Sequence, residues 1–406
     1  MQRPPPVNRS RPVRVCILLN RYPPDFTGHG IQIERLLPHL ARQGVEARVV
    51  TRRPVAGVTW PGADDGVLRI LPPPDERLSR LRGTLTLRAH LRNHRRDYDV
   101  VHGAFADWEF YLNVPVLRRL GLPVLHEMIL LDADDPVAIR AERLGSIKLR
   151  LLRGVDCWVG ISDAFLPRIT AIGIPEERFQ RIYTGLDAER FRPAPGEDRP
   201  ALRAALGIPA EARVVISVGA LLPRKGMDRL LRAWARLHPS PEKDLLLLVG
   251  PSTEGEGLRP QYLPHVRELE ALAGAPELAG TVRFVGRVDD VERWMTAADV
   301  FALLSRREGF GTVTAEAMAC GLPCVISPLD GVGREIVDEG RTGFVIDDPD
   351  DPDAVAARLR PLLSDVELRR RLGAAARESA CARFSMEVRA ERLAGIYRTL
   401  AARPGP

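Results

Sequence analysis

Long apolar runs are missing from this sequence of 406 residues. None of its aliphatic stretches approaches the roughly 20 residues that a helix needs to cross a membrane, so the sequence predicts no membrane-spanning segment. The first apolar run, Val15–Leu19, is of strand length. It follows basic residues, but no small-residue cleavage site comes soon after it. We therefore expect no signal peptide.

Cysteine is also scarce, and its placement argues against a disulfide framework. The five cysteines are an odd number without a regular spacing, and each lies in or beside an apolar run. Such thiols are typical of buried residues in a reducing compartment, so we expect a cytoplasmic location. Cys320 and Cys324 flank Gly-Leu-Pro, which is not a common zinc spacing, and no histidine pair accompanies them. We interpret both as small core residues.

What the sequence does have is an ordinary globular composition with an uneven charge. Hydrophobic residues make up 45% of the chain and charged residues 28%, and a chain of this length normally forms two domains. Residues 1–192 contain 30 Lys and Arg against 22 Asp and Glu, a net charge of +8, whereas residues 193–406 contain 29 against 31, a net charge of −2. An anionic membrane surface or a charged acceptor is a candidate partner for the basic half, although an arginine-rich composition explains the excess equally well. We predict no nucleic-acid partner.

Short runs of β-branched and aliphatic residues alternate with segments of helical periodicity through both halves. Their near-continuous apolarity is typical of strands buried on both faces of a parallel sheet. Segments such as Gln32–Gln43 and Asp228–Leu237 have apolar residues at helical spacing. The predicted strands are Val13–Leu19, Ala47–Thr51, Val67–Leu71, Val100–His102, Val124–His126, Cys157–Ile161, Arg181–Tyr183, Val214–Val218, Leu245–Val249, Val282–Val285, Val300–Leu304, Pro323–Ile326 and Gly343–Ile346.

This alternation predicts an α/β protein of two doubly wound, Rossmann-like domains. A stretch rich in proline, glycine and charge, Phe191–Pro200, separates the two series of strands. We place the N-terminal domain at residues 1–192 and the C-terminal domain at residues 193–385, with a last helix in residues 386–406 completing the first domain. Open α/β sheets bind ligands beyond the carboxyl ends of their strands, so functional residues are expected directly after strands.

The segment that follows the strand Val300–Leu304 is the most informative. It contains a loop with two glycines and then a helix, an arrangement that presents free backbone N–H groups at a positive helix N-terminus and therefore predicts an anion site. Glu308 and Glu316 bracket that site, eight residues apart. Because carboxylates repel phosphate, we expect them to accept hydrogen bonds from sugar hydroxyls beside it. The ligand indicated is a nucleotide-activated sugar; the alternative is a helix-stabilising glutamate and a solvated loop glutamate.

The segment resembles the E-x7-E signature of the retaining family 4 glycosyltransferases (glycosyltransferase group 1), which have the GT-B fold of two Rossmann-like domains facing across a cleft. The resemblance implies that Glu316 holds the donor ribose and that Glu308 contacts the transferred sugar as a catalytic residue. It also implies that Gly311, Thr312 and Val313 offer backbone amides to the sugar or the pyrophosphate.

A second loop resembles the family's glycine–arginine and lysine–glycine pattern. Gly219 ends a strand, and the cations Arg224 and Lys225 follow it, so the resemblance implies a diphosphate site. The family's arginine directly after the glycine is Ala220 here, and we take Arg224 as its substitute. Val285, within Phe284–Arg287, is expected near the nucleotide base. The alternative for the two cations is a solvated surface pair.

The N-terminal half carries two further resemblances. Gly28 and Gly30 follow the first strand in a Gly-His-Gly sequence that resembles the family's glycine-rich first loop, which meets donor pyrophosphate and acceptor; a plain glycine turn is the alternative. His126 ends another strand where the family commonly has a catalytic histidine, and His102 is its competitor. A histidine at a strand end is also often hydrogen-bonded scaffold.

The resemblance implies a retaining, same-face transfer that needs no metal and no cofactor beyond the donor. Asp132–Asp135 invites comparison with a metal-binding D-x-D motif, but cations and a helix dipole neutralise a leaving diphosphate without a metal. Glu76–Asp97 contains seven arginines with interleaved leucines. It is a candidate for peripheral contact with an anionic membrane at the inner surface, or else a solvated helix. The acceptor is not identified. Two alternatives stay open: a sugar phosphorylase or sucrose-synthase-like enzyme on this fold, and a non-catalytic nucleotide-sugar-binding protein.

Overall fold

The computed structural model describes residues 11–23, 28–54, 66–73, 76, 78–193 and 198–403. The chain divides into two compact units, residues 1–182 with 386–406 and residues 183–385. We expected the N-terminal domain to end at residue 192, but the first unit ends at residue 182. Residues 183 to 192 belong to the second unit because they pack with it. Phe191 in that stretch is 2% exposed, and Arg190 is ion-paired with Glu292.

The first unit contains a parallel sheet of seven strands in the order β3-β2-β1-β4-β5-β6-β7. Valine, isoleucine and leucine dominate the central strands, where burial on both faces favours them. The strands are β1 (Val13–Leu18), β2 (Val45–Arg52), β3 (Val67–Leu71), β4 (Val100–Gly103), β5 (Val124–Met128), β6 (Cys157–Gly160) and β7 (Phe179–Arg181). The connecting helices are α1 (Gly28–Arg42), α2 (Ser79–Asn93), α3 (Trp108–Tyr111), α4 (Val114–Arg119), α5 (Pro136–Ala141), α6 (Gly145–Leu152) and α7 (Leu166–Thr170).

The second unit contains a parallel sheet of six strands in the order β10-β9-β8-β11-β12-β13. The strands are β8 (Arg213–Val218), β9 (Asp244–Val249), β10 (Val282–Gly286), β11 (Val300–Leu303), β12 (Cys324–Ile326) and β13 (Gly343–Val345). The helices are α8 (Asp198–Ala205), α9 (Met227–Arg236), α10 (Leu263–Ala273), α11 (Val291–Ala297), α12 (Thr312–Ala319), α13 (Val332–Ile336), α14 (Pro352–Ser364) and α15 (Val366–Phe384).

Helix α9 illustrates how the sequence forms these layers. Its buried apolar residues Met227, Leu230, Leu231 and Trp234 recur at spacings of three and four, so they share one helix face and pack on the sheet core. The last helix, α16 (Met386–Ala401), follows the same rule. It packs its apolar face against the core of the first unit.

The two doubly wound parallel sheets that the sequence predicts are present, and the strand positions agree closely. The largest displacement of a whole strand is at β7, which spans residues 179–181 where the sequence predicts 181–183; β5 ends two residues later than predicted. Apolarity continues past the paired residues because Ile182 and Tyr183 are buried in the segment that follows. No helix in the described part of the chain is long and apolar enough to cross a membrane.

Candidate functional site

The predicted acidic loop of the second unit lies at the carboxyl end of β11 and leads into α12. Gly311 immediately precedes the helix with a φ of 79°, a left-handed conformation that glycine adopts without the steric cost of a side chain. Thr312 and Val313 are the first two residues of the helix, so their backbone N–H groups belong to its unpaired first turn. The helix N-terminus is therefore where the sequence predicts it.

The predicted cations lie beside this loop, after the end of β8. Residues Pro223–Lys225 form a short 3-10 turn directly before α9. The stem of Lys225 runs along Gly219, where a Cβ would come within 3.0 Å of the lysine Cε. A side chain at position 219 would require the lysine to shift by a few tenths of an ångström, and the φ of 151° at this position also favours glycine.

Glu308 joins the loop and the turn. Its Oε1 accepts hydrogen bonds from Lys225 Nζ at 2.6 Å and from Ser305 Oγ at 2.9 Å. Its Oε2 accepts one from Arg224 Nη1 at 3.2 Å. The side chains of Glu308 and Lys225 are 9% and 10% exposed, whereas that of Arg224 is 48% exposed. The structure thus brings three predicted site residues together with Ser305, which our sequence analysis had not singled out.

Glu316 lies one turn into α12 and is half-buried. Its negative charge acts on Arg190. Burial lowers the pKa of that guanidinium. The hydrogen bond to Glu292 and the charges of Glu292, Glu316 and Asp187 raise the pKa by more than burial lowers it, so the net shift is upward. The charge of Glu316 is therefore felt by Arg190, whose guanidinium is ion-paired with Glu292.

Val285, expected near a nucleotide base, is partly exposed near the end of β10. The adjoining loops are fixed by Glu256, which sequence analysis missed. Its carboxylate accepts the backbone N–H of Ser252 at 2.7 Å. That hydrogen bond is the largest of several that lower the pKa of Glu256. Consecutive strand ends are also joined, since Gly219 N–H donates to the Val249 carbonyl and Gly250 N–H to the Gly286 carbonyl.

In the first unit, the predicted glycine-rich loop lies partly outside the described residues, since positions 24 to 27 are not among them. Gly28 and Gly30 are the first and third residues of α1. Gly28 is exposed and Gly30 is buried. Their contact with a donor or an acceptor stays a prediction.

His126 is fully buried in the core of the first unit. Its ring stacks on Phe110, with centroids 5.0 Å apart, and meets Trp158 edge-on at 5.2 Å. Burial lowers its pKa to about 4, so the ring is neutral at pH 7 and its Nδ1–H donates to the Gly103 carbonyl at 3.0 Å. Its catalytic role stays a prediction, and the side chain has no exposed surface with which to touch a substrate.

A buried charge cluster that the sequence analysis missed lies next to His126. Glu127 is fully buried, and its Oε1 accepts a hydrogen bond from Arg389 of α16 at 2.6 Å. Its Oε2 lies 3.2 Å from His102 Nε2 and 3.8 Å from His29 Nε2. Burial raises the pKa of Glu127, but the charge of Arg389 and the hydrogen bond with His102 outweigh it, so the net shift is downward. His102 also hydrogen-bonds the Tyr397 hydroxyl at 2.8 Å, which makes it structural.

The acidic motif Asp132–Asp135 has a local use. Asp135 caps α5 by accepting the N–H groups of Val137 and Ala138. Asp134 accepts those of Ile129 and Leu130. Within the described ranges, no three or more His, Cys, Asp and Glu side chains are grouped so that they could hold a metal ion.

Family models match both halves of the chain. Residues 198–379 match "Glycosyl transferases group 1", and residues 27–185 match "Glycosyl transferase 4-like domain". A relative named D-inositol 3-phosphate glycosyltransferase from Nocardioides sp. is 32% identical, over 92% of this chain and 85% of its own length. A mannosyltransferase from Corynebacterium glutamicum, named as GDP-mannose-dependent and acting on a monoacylated phosphatidylinositol monomannoside, is 33% identical over 60% of this chain and 62% of its own.

Solved structures show the same fold. A sucrose-phosphate synthase from Thermosynechococcus elongatus superposes with a TM-score of 0.75 at 24% identity, over 96% of this chain and 99% of that one. The Anabaena HepE protein in complex with UDP and glucose gives a TM-score of 0.73 at 22% identity, over 95% of this chain and all of the other. Together with the two parallel sheets, these similarities identify the GT-B fold. The two family models and the full-length relatives show that this chain belongs to the group 1 glycosyltransferases of family 4 and is a glycosyltransferase.

Proposed function

We propose that this enzyme transfers a sugar from a nucleoside-diphosphate donor with retention of the anomeric configuration and without a metal. The observation that carries the proposal is the cluster of Glu308, Lys225 and Arg224 beside the N-terminus of α12. Two cations and a helix N-terminus are the groups that stabilise a leaving diphosphate. The carboxylate among them is suited to accept a hydrogen bond from a sugar hydroxyl.

The proposed reaction is a same-face displacement. The acceptor hydroxyl oxygen attacks the anomeric carbon while the bond from that carbon to the diphosphate oxygen breaks, and the hydroxyl proton passes to the departing diphosphate. Negative charge grows on the diphosphate as the bond breaks, so Lys225 and Arg224 interact more strongly with the transition state than with the donor. Ser305 donates to Oε1 of Glu308, the same oxygen that accepts from Lys225, and so helps to orient the carboxylate.

The nature of the donor and the acceptor is part of the proposal. UDP sugars and GDP sugars are the first donors to test, because a structural neighbour was solved with UDP and glucose and a relative is named for GDP-mannose. Inositol phosphate is the first acceptor to test, since full-length relatives are named for D-inositol 3-phosphate.

The test is a transfer assay on the full chain, with the product analysed by NMR for the configuration of the new linkage. We expect a retained configuration, and we expect Lys225→Ala and Glu316→Ala to lower kcat/KM by about 100-fold each. Lys243→Ala is the matched control, because Lys243 is an exposed lysine of the same unit. An inverted product would refute retention, full activity of either site variant would refute the site, and sugar release that requires inorganic phosphate would indicate a phosphorylase.

We also propose that α2 brings the first unit to an anionic lipid surface. The first half of the helix turns Ser79, Gly83 and Thr84 inward, and the second half buries Leu87 and Leu91. Leu78, Leu81 and Leu85, spaced by three and four residues, are 64%, 56% and 54% exposed. The start of the helix therefore leaves a leucine stripe in solvent.

The positive charge around the leucine stripe indicates that the lipid partner has an anionic headgroup. Between residues 78 and 96 the sequence has six arginines and no acidic residue. Among them, Arg82 and Arg92 are exposed on α2. An apolar stripe flanked by arginines matches the interface of an anionic bilayer, where the leucines enter the acyl boundary and the guanidinium groups meet phosphates.

Co-sedimentation with lipid vesicles tests this surface. We expect the protein to bind vesicles containing phosphatidylglycerol, to release them at high salt, and to lose binding at least fivefold in the double variant Leu81→Ser/Leu85→Ser. Val366→Ser is the control, because Val366 is 62% exposed in the second unit. Unchanged binding by the leucine variant, or equal binding to neutral vesicles, would refute the proposal.

A further inference from the structure

Arg306 links the two segments that carry the charged groups of the candidate site. Its backbone N–H donates to the Arg224 carbonyl at 2.7 Å. Its Nη1 donates to the Pro223 carbonyl at 2.8 Å. The guanidinium therefore spans from the loop that bears Glu308 to the turn that bears Arg224 and Lys225.

The same guanidinium also grips the helix that follows the turn. Nη1 and Nη2 of Arg306 each lie 2.7 Å from one carboxylate oxygen of Asp228, the second residue of α9. Burial raises the pKa of Asp228, but the hydrogen bonds and charge of Arg306 outweigh it and the net shift is downward. The pair is thus fully ionised at neutral pH. Its two-pronged geometry fixes orientation as well as distance.

We propose that Arg306, anchored by Asp228, is a positioning residue that holds the turn 223–225 at the correct distance from Glu308. The inference rests on the proposed donor site, since the positioned groups are those assigned to the donor diphosphate. Arg306 acts through backbone carbonyls and through Asp228. A displacement of about 1 Å in such a site is enough to lower its performance strongly.

The chemistry of the contact requires arginine at this position. One planar guanidinium serves two carboxylate oxygens and a carbonyl at once. A lysine has a single ammonium group on a flexible stem, so it reaches only part of this set and leaves the orientation free. The neighbouring Arg229 does not substitute for it, because its guanidinium is engaged by Asp350 and the Leu304 carbonyl.

Steady-state kinetics on Arg306→Ala, Arg306→Lys and Asp228→Asn test the inference. We expect Arg306→Ala to raise the donor KM by about tenfold or more with kcat reduced less, because the diphosphate-binding groups lose their fixed placement. Arg306→Lys should raise the donor KM less than Arg306→Ala does. The donor KM of Asp228→Asn should lie between those of these two variants. The double variant Arg306→Ala/Asp228→Asn should be no worse than Arg306→Ala alone, because both changes break one link.

A matched control and a stability measurement separate positioning from folding. Arg370→Ala removes an exposed arginine that pairs with Glu367 on α15, and it should leave the donor KM unchanged. The inference is overturned if Arg306→Ala keeps the wild-type donor KM, measured well below its melting temperature. This holds whether or not the melting temperature itself falls.

Failure of this inference is distinguishable from failure of the proposed function. If Lys225→Ala abolishes donor binding and Arg306→Ala does not alter it, the donor site stands and only the positioning role is wrong. If Lys225→Ala binds the donor normally, the site itself is wrong.

Discussion

Glu127 in the first unit and Glu308 in the second are both ion-paired carboxylates, but their surroundings differ. Glu127 is fully buried, and its partner Arg389 is 2% exposed. Glu308 is 9% exposed; its closer partner Lys225 is 10% exposed, and its second partner Arg224 is 48% exposed. A sealed pair cannot exchange its partner for a ligand, whereas a pair with an exposed cation can. The exposure of Arg224 therefore leaves the cluster around Glu308 open to a ligand, whereas the pair of Glu127 and Arg389 is closed to one.

The largest expected effect is on the sealed pair. Arg389→Ala leaves the Glu127 carboxylate buried without its principal cation, which should reduce the free energy of unfolding by about 3–5 kcal/mol. Denaturant unfolding of wild type and variant measures the difference. A loss below about 1 kcal/mol would mean that Glu127 is not held as a buried ion, and the contrast between the two units would disappear.

Glu308→Gln should act on turnover and not on stability. We expect kcat/KM to fall about 100-fold, because the amide replaces the carboxylate that we propose accepts a hydrogen bond from the sugar hydroxyl. Affinity for the free nucleoside diphosphate should rise, since a charge that repels phosphate and competes for Lys225 is gone. Calorimetry and kinetics measure both quantities. Weaker nucleoside-diphosphate binding together with normal turnover would contradict the role of Glu308.

His126→Gln tests whether this buried ring is scaffold or catalyst. Its pKa is lowered from 6.5 to about 4 by burial, so below pH 6.5 the unfolded chain binds a proton that the folded chain does not. Proton binding to the unfolded chain therefore lowers the free energy of unfolding as the pH falls from 6.5 to 4. The variant should flatten the slope of unfolding free energy by about 1.4 kcal/mol per pH unit within that window.

A catalytic role for His126 would give a different result. It would require a large loss of kcat at pH 7, where the variant is folded. Chemical denaturation at pH 4.5, 5.5 and 7 together with kcat at pH 7 distinguishes the two outcomes.

The smallest expected effect is on the exposed partner. Arg224→Ala should change the free energy of unfolding by less than about 1 kcal/mol, because a solvent-exposed ion pair contributes little. The donor KM should nevertheless rise. A stability loss as large as that of Arg389→Ala would show that both pairs are structural.

The fold and the proximity of Glu308 to Lys225 and Arg224 could be predicted from the sequence because both depend on order along the chain. Gly219 directly follows β8, and Glu308 lies in the loop after β11. Parallel strands bring their carboxyl ends to one edge of the sheet. The partners of these residues could not be predicted. Which groups Arg306 would bond to depends on the loop conformation, and neither Asp228 nor the Pro223 carbonyl is marked by any pattern.

The site residues of the first unit were harder to predict because their partners also depend on the tertiary structure. Glu127 stands in an apolar strand next to His126, so the histidine drew the functional assignment. The ion pair of Glu127 is with Arg389, 262 residues further along the chain. The burial of His126 between two aromatic rings is likewise a tertiary property, and local sequence carries no sign of it.

Calorimetric titration of UDP, GDP and ADP into the full chain examines the donor site without any assumption about the acceptor. We predict that at least one of these nucleoside diphosphates binds wild type and that Lys225→Ala weakens its binding by about tenfold or more, while Lys243→Ala binds as wild type does. Equal binding by wild type and Lys225→Ala would contradict a diphosphate site at the start of α12.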